Sequence, residues 1–216
     1  MRHAIFALAA GVALIGGSSA WAQSLDFTVP AVNTGASISY ATSGGDLVGT
    51  SISITDVTGI GTPSNAGAPV GITNGFLNFS SGAFASVNGS EWDFGGGGPI
   101  TITATSPFGG GALLSGTITN AQVTGSGGTY HVAIAAFFNT ISSGVASYFG
   151  VPTSGWSGNL SISFNTSNAV TAPGTFTSSS VRSGDVTTSV PEPSTMAIAG
   201  LGALGLIGYG LRRRRA

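Results

Sequence analysis

A chain of 216 residues with 36 glycines, no cysteine and 6% charged residues is too apolar and too rich in Gly, Ser and Thr for an ordinary cytoplasmic enzyme. Its cations are Arg2, Arg182 and a run near the C-terminus, so between the ends a single Arg faces Asp26, Asp46, Asp56, Glu91, Asp93 and Asp185. That balance excludes nucleic acid as a partner, because counterion release needs clustered Lys or Arg, and the lack of Cys excludes a disulfide framework, thiolate metal sites and cysteine nucleophiles.

From the N-terminus, Arg2 and His3 give a positive start, residues 4–17 form an unbroken apolar and small-residue run, and Ala20-Trp21-Ala22 supplies an A-x-A pattern. These are the parts of a secretory signal peptide, predicted over residues 1–22. Small side chains at Ala20 and Ala22 fit the narrow pockets of signal peptidase, which puts the mature N-terminus at Gln23 after passage through the secretion machinery. The run is shorter than the ~20 residues of a spanning helix, which argues against a retained anchor.

Residues 23–170 read as one exported β-rich domain, large enough to bury its own core. Apolar residues alternate with Ser, Thr and Asn at Leu25, Phe27 and Val29, at Ala36, Ile38 and Tyr40, at Ile52 and Ile54, at Leu77 and Phe79, at Ile100 and Ile102, and at Leu160, Ile162 and Phe164. Each stretch fits a strand with one buried face. Clusters of Gly, Pro, Asn and Ser at residues 43–46, 61–65, 95–99 and 125–128 fit turns. The pattern predicts an all-β fold, a single antiparallel β-sandwich or jelly-roll-like domain, or a barrel. Residues 130–138 fit a central strand or a short helix, and residues 142–149 a helical turn or two. Residues 171–189, rich in Ser and Thr, predict a final edge strand followed by an extended linker.

Val190-Pro191-Glu192-Pro193 then precedes an uncharged run, residues 196–211, which meets Arg212, Arg213, Arg214 and Arg215. The two prolines keep their segment extended and out of any following helix. At ~1.5 Å per residue the run predicts a transmembrane helix somewhat short for a ~30 Å hydrocarbon core, with snorkelling Arg stems closing the gap. Translocating the arginines would cost on the order of 10 kcal/mol, so they stop transfer and remain cytoplasmic. Gly200, Gly202 and Gly205 match G-x-G-x-x-G, but no strand precedes them and the basic cluster follows, which excludes a dinucleotide site.

Pro-Glu-Pro, a short apolar segment and a basic cluster, in this order and spacing, resemble the PEP-CTERM sorting signal, over residues 190–216. The resemblance implies processing by exosortase, an integral-membrane cysteine transpeptidase-like enzyme, at or near Pro191-Glu192-Pro193. It further implies transient anchoring in the inner membrane, then release or transfer to the cell surface or the extracellular space. Glu192 is the acid available for recognition.

Groups suited to catalysis are sparse. Glu91 and Asp93 flank Trp92, and in a strand they share a face, the paired-carboxylate arrangement of a glycosidase; a solvated strand end at a hairpin is the favoured reading. His131, in an apolar alternating stretch, fits a hydrogen-bonded structural role, since a metal site needs further ligands. Asp46, Asp56 and Asp185 stand beside Gly or Thr, where Ca²⁺ or an ordinary turn accounts for them. Trp92, Trp156, Tyr40 and Tyr148 would stack on sugar rings if exposed, or fill the core. The expectation is therefore a noncatalytic cell-surface or extracellular-matrix protein without cofactor or metal, and the family resemblance suggests association with exopolysaccharide in a biofilm. The alternatives are a carbohydrate-binding module and a glycan-active hydrolase using Glu91 and Asp93.

Overall fold

The structure, a computed structural model, describes residues 22–190. The expected signal peptide with Ala20, and the sorting segment with Pro191, Glu192, Pro193, Arg212, Arg213, Arg214 and Arg215, lie outside these residues.

The alternation in the sequence becomes ten antiparallel strands. They are β1 (Gln23–Val29), β2 (Ser37–Tyr40), β3 (Asp46–Ile60), β4 (Pro69–Asn88), β5 (Glu91–Phe94), β6 (Pro99–Ala104), β7 (Gly111–Ser126), β8 (Thr129–Ile141), β9 (Trp156–Thr166) and β10 (Phe176–Val190). All the alternating residues from Leu25 to Phe164 named above are buried except Ala36, which packs partly buried against the core.

The pairings form a closed circuit. β3 bonds β4, β7 bonds β8, β8 bonds β9, β9 bonds β10, and β10 returns to β1. Two staves of this barrel are split: β1 and β2 both lie between β3 and β10, and β5 and β6 both lie between β4 and β7. Ten strands with two split staves make an eight-position meander. Closure removes the free edges that a sandwich would leave, and the neighbour-to-neighbour connections replace the crossover of a jelly roll. Of the three all-β architectures expected, the barrel is the one found.

Two local expectations are corrected. Residues 176–190 are neither edge nor linker, because β10 bonds β9 on one side and β1 and β2 on the other. Its Ser- and Thr-rich sequence buries only Phe176, Val181, Val186 and Thr188, and register shifts against β9 interrupt the alternation. The turn expected at residues 95–99 is a bulge instead: residues 95–98 run between β5 and β6 while still bonding both neighbours, with Gly82 N donating to Gly95 O at 2.8 Å and Gly97 N donating to Ile118 O at 2.8 Å. A Cβ on Gly98 would stand 2.0 Å from Ser80 O, so a side chain has no room where these backbones meet.

An eight-stave barrel is just wide enough to be filled by side chains. Here Trp92, Trp156, Tyr40, Phe27, Phe137, Phe149 and Phe164 fill it, each fully buried, and burial of each such side chain contributes roughly 1.5–3 kcal/mol. The rings fit because glycines on the wall leave space. Gly158 pairs with Phe137 across β8 and β9, and a Cβ there would lie 2.4 Å from the Phe137 ring.

One rim gathers Gln23, Val190 and the connections β3–β4, β6–β7 and β8–β9; the opposite rim gathers the other hairpin loops. The β8–β9 connection carries α1 (Ser143–Phe149), whose Val145, Ala146 and Phe149 are buried. Ser142 caps its N-terminus by accepting from Val145 N at 3.2 Å, and left-handed Gly150 closes its C-terminus.

Candidate functional site

The two acids singled out in the sequence do come together. Residues of β5 alternate, so Trp92 enters the core while Glu91 and Asp93 stand on the outer wall. Gln122 of β7, the cross-strand partner of Asp93, has Nε2 donating to Glu91 Oε2 at 3.1 Å and to Asp93 Oδ1 at 3.0 Å. Ser86 Oγ donates to Asp93 Oδ2 at 3.1 Å. A groove floored by Ala133 and Ala135 runs beside Asp93, Gln122 and Asn120. Gln122 was not foreseen, since only the β5–β7 register brings it to the acids. The arrangement holds two carboxylates close on a half-buried polar wall and leaves oxygens to accept from a hydroxyl-rich ligand.

The aromatic candidates divide. Trp92 and Trp156 are buried, and so is Tyr40; a sugar-stacking surface built on them is ruled out by that burial. Their polar atoms tie down loops instead: Trp92 Nε1 donates to Gly174 O at 3.0 Å, Trp156 Nε1 donates to Pro152 O at 2.8 Å, and Gly44 N donates to Tyr40 Oη at 2.9 Å. Tyr148 alone of the four is exposed, packed edge-on against Phe108. His131 stands on β8 with Nε2 2.8 Å from Ser161 Oγ, the hydrogen-bonded role expected of it.

The aspartates lie on strands, not in the turns expected for them. Asp46 opens β3 and accepts from Ser80 Oγ at 3.2 Å. Asp56 accepts from Thr28 Oγ1 and Thr55 Oγ1, both at 2.8 Å, and Asp185 accepts from Thr187 Oγ1 at 3.3 Å. Asp26, which no motif marked, lies on β1 between Asp56 on β3 and Asp185 on β10, in diagonal register with both. Burial, then the charges of Asp185 and Asp56, raises its pKa above the ordinary carboxylate value. Its Oδ1 is buried without a hydrogen-bond partner. Among the described residues no group of three or more His, Cys, Asp or Glu is arranged to hold a metal ion.

The residues flanking the two expected processing points are joined. Gln23, the first residue of β1, is the antiparallel partner of Val190, the last of β10. Residues 189–215 match the model of the PEP-CTERM protein-sorting motif. No curated protein and no solved structure matches the chain.

Proposed function

A chain that carries a PEP-CTERM protein-sorting motif is an exported substrate of exosortase, held by a membrane-anchored sorting signal, and from that premise we propose that the barrel is a noncatalytic structural component of the cell surface or extracellular matrix, associated with exopolysaccharide. A signal peptide ending at Ala22 starts its export, and cleavage near Pro191-Glu192-Pro193 frees it from the inner membrane. The observation that most supports a structural role is the filled interior: the barrel axis is occupied by its own aromatic side chains, and the bonding circuit leaves no open sheet edge. Such a body is suited to persist outside the cell, with hydroxyl-rich walls of Ser and Thr facing a hydrated polysaccharide.

The test has two parts in the native host. Deleting the exosortase gene should leave a longer, membrane-held precursor, and extracted matrix polysaccharide should retain the mature barrel on a column. Unchanged size and location would end the sorting assignment; free passage through the polysaccharide would end the matrix association.

A second reading, a glycan-active hydrolase, is favoured by one observation, the convergence of Glu91 and Asp93 on Gln122. Release of reducing ends from the same polysaccharide, lost in Glu91→Gln, would uphold it. A purified barrel that releases none would remove it.

A further inference from the structure

The exposed apolar residues of the barrel are unevenly placed. Ile60 is 52% exposed, Phe138 68% and Tyr148 39%, and all three belong to the rim where the described chain reaches Val190. Their position relative to that exit follows from the register. Ser189 pairs with Ser157 of β9, which pairs with Phe138 of β8; on its other side Ser189 pairs with Ser24 of β1, which pairs with Ile60 of β3. Phe138 and Ile60 therefore stand two strands to either side of β10 on one bonded row, each about 10 Å away at the usual strand spacing. Tyr148 projects from α1 in the adjoining β8–β9 connection. At the opposite rim the exposed large apolar residue is Val87, and Val32 follows the end of β1. Phe76 of β4 pairs with Thr103 next to the end of β6, so it lies toward the Val190 rim but three strands away from β10.

We infer that this rim is a membrane-resting face: before exosortase acts, Phe138, Ile60 and Tyr148 sit in the interfacial region of the bilayer that anchors the sorting signal. The inference rests on the sorting assignment above. Between Val190 and the apolar run at residue 196 the sequence has only Pro191, Glu192, Pro193, Ser194 and Thr195. An extended segment of that length reaches at most about 18 Å. The rim of Val190 is thus held beside the bilayer throughout the life of the precursor, and an apolar contact there needs little affinity of its own because its local concentration is high. Ser24, Ser157 and Ser189 between the apolar residues suit the wet headgroup boundary, as aromatic and aliphatic side chains suit the layer below. Arg182 is the single cation in residues 22–190, so the contact is apolar and gains nothing from anionic lipid. Asp26, Asp56 and Asp185, on the wall beyond this row, oppose an anionic surface.

The absence of Cys makes a clean test. The full-length precursor is placed in phosphatidylcholine vesicles carrying a quencher near the headgroups, with an environment-sensitive dye at Ser157→Cys, Val87→Cys or Leu204→Cys, one at a time. Quenching is expected at residue 157 and absent at residue 87. It should be lost from residue 157 when Ile60→Ser and Phe138→Ser are added, kept when Val87→Ser is added, and unmoved by salt. A dye at residue 204 inside the bilayer with residues 157 and 87 equally unquenched would overturn the inference and leave the sorting assignment standing. A dye at residue 204 outside the bilayer would overturn both. Quenching that survives Ile60→Ser with Phe138→Ser would show that the tether alone holds the rim there, and would also overturn it.

Discussion

Gln23 and Val190 pair across the seam that closes the barrel. β10 is bonded on both sides up to Ser189 and to β1 at Val190, so an enzyme that needs extended, unpaired backbone has to take it from the residues that follow. Drawing Ser189 into an active site would break ladder bonds on β1 and β9 together, and drawing in Val190 would break its pairing with β1. The mature protein recovered from its host should therefore keep Val190, with its C-terminus at or beyond that residue. Intact-mass measurement with C-terminal peptide sequencing checks this, and a terminus before Val190 would refute it.

The contact of Gly158 with the Phe137 ring gives a second expectation. A Cβ at Gly158 would also come within 2.6 Å of Thr187 O, which belongs to the backbone of β10 and has little freedom to retreat. Gly158→Ala should lower stability by about 1–3 kcal/mol, the usual cost of overpacking a filled core. Adding Phe137→Leu should recover part of that loss if the ring is the main obstacle. Denaturant midpoints of the two variants, compared with Phe137→Leu alone, decide the matter.

The same residues show which parts of the fold a sequence makes legible. Leu25, Phe27 and Val29, or Leu160, Ile162 and Phe164, alternate with polar neighbours because a barrel wall has one dry face, and that alternation marks them as strands. Ser142 and Gly150 likewise marked the ends of α1. β10 escaped because its inward positions include Thr188 and its alternation is broken by register shifts, so it carried the composition of a linker. Closure has no local signal, since the pairing of Gln23 with Val190 joins residues at opposite ends of the domain, and the alternation alone fits a sandwich or a jelly roll as well. The site was half visible: spacing put Glu91 and Asp93 on one face, while Gln122 and the neighbours of Asp26 come from strands distant in sequence. The sorting motif was fully legible because its meaning lies in consecutive residues, with no tertiary structure required.

Asp26 supplies a pH prediction. Its pKa is raised in the fold by burial and by Asp185 and Asp56, so the folded protein favours the protonated form. The associated stability is fully present below the ordinary carboxylate value of 3.8 and is lost as pH rises through the higher folded value. Asp26→Asn removes the charge at nearly constant size. It should melt above the parent protein at neutral pH, by a few degrees at most, given ~2–4 °C per kcal/mol in a domain of this size. The gap should shrink as pH falls toward 3.8. A pH-independent gap would mean that the substitution acts through packing and not through charge.

The polar pair inside the barrel calls for a different experiment. Thr188 of β10 is fully buried and its Oγ1 donates to Asn139 Oδ1 on β8 at 2.9 Å, while Asn139 Nδ2 is buried with no partner. A buried amide that is only half satisfied contributes little net stability, yet removing its one partner leaves the whole group unpaired. Thr188→Val should therefore cost about 1–3 kcal/mol. Asn139→Leu removes the orphaned donor together with the acceptor, and the double variant Asn139→Leu with Thr188→Val replaces the pair by apolar groups of similar volume. The double variant should be more stable than Thr188→Val alone, because the second substitution removes the penalty created by the first. Thermal or urea unfolding of the parent, both single variants and the double completes the cycle. Additive effects would show that Asn139 and Thr188 are not energetically coupled, as expected if the Thr188 hydroxyl donates to Ser157 O, 3.2 Å away, and not to Asn139.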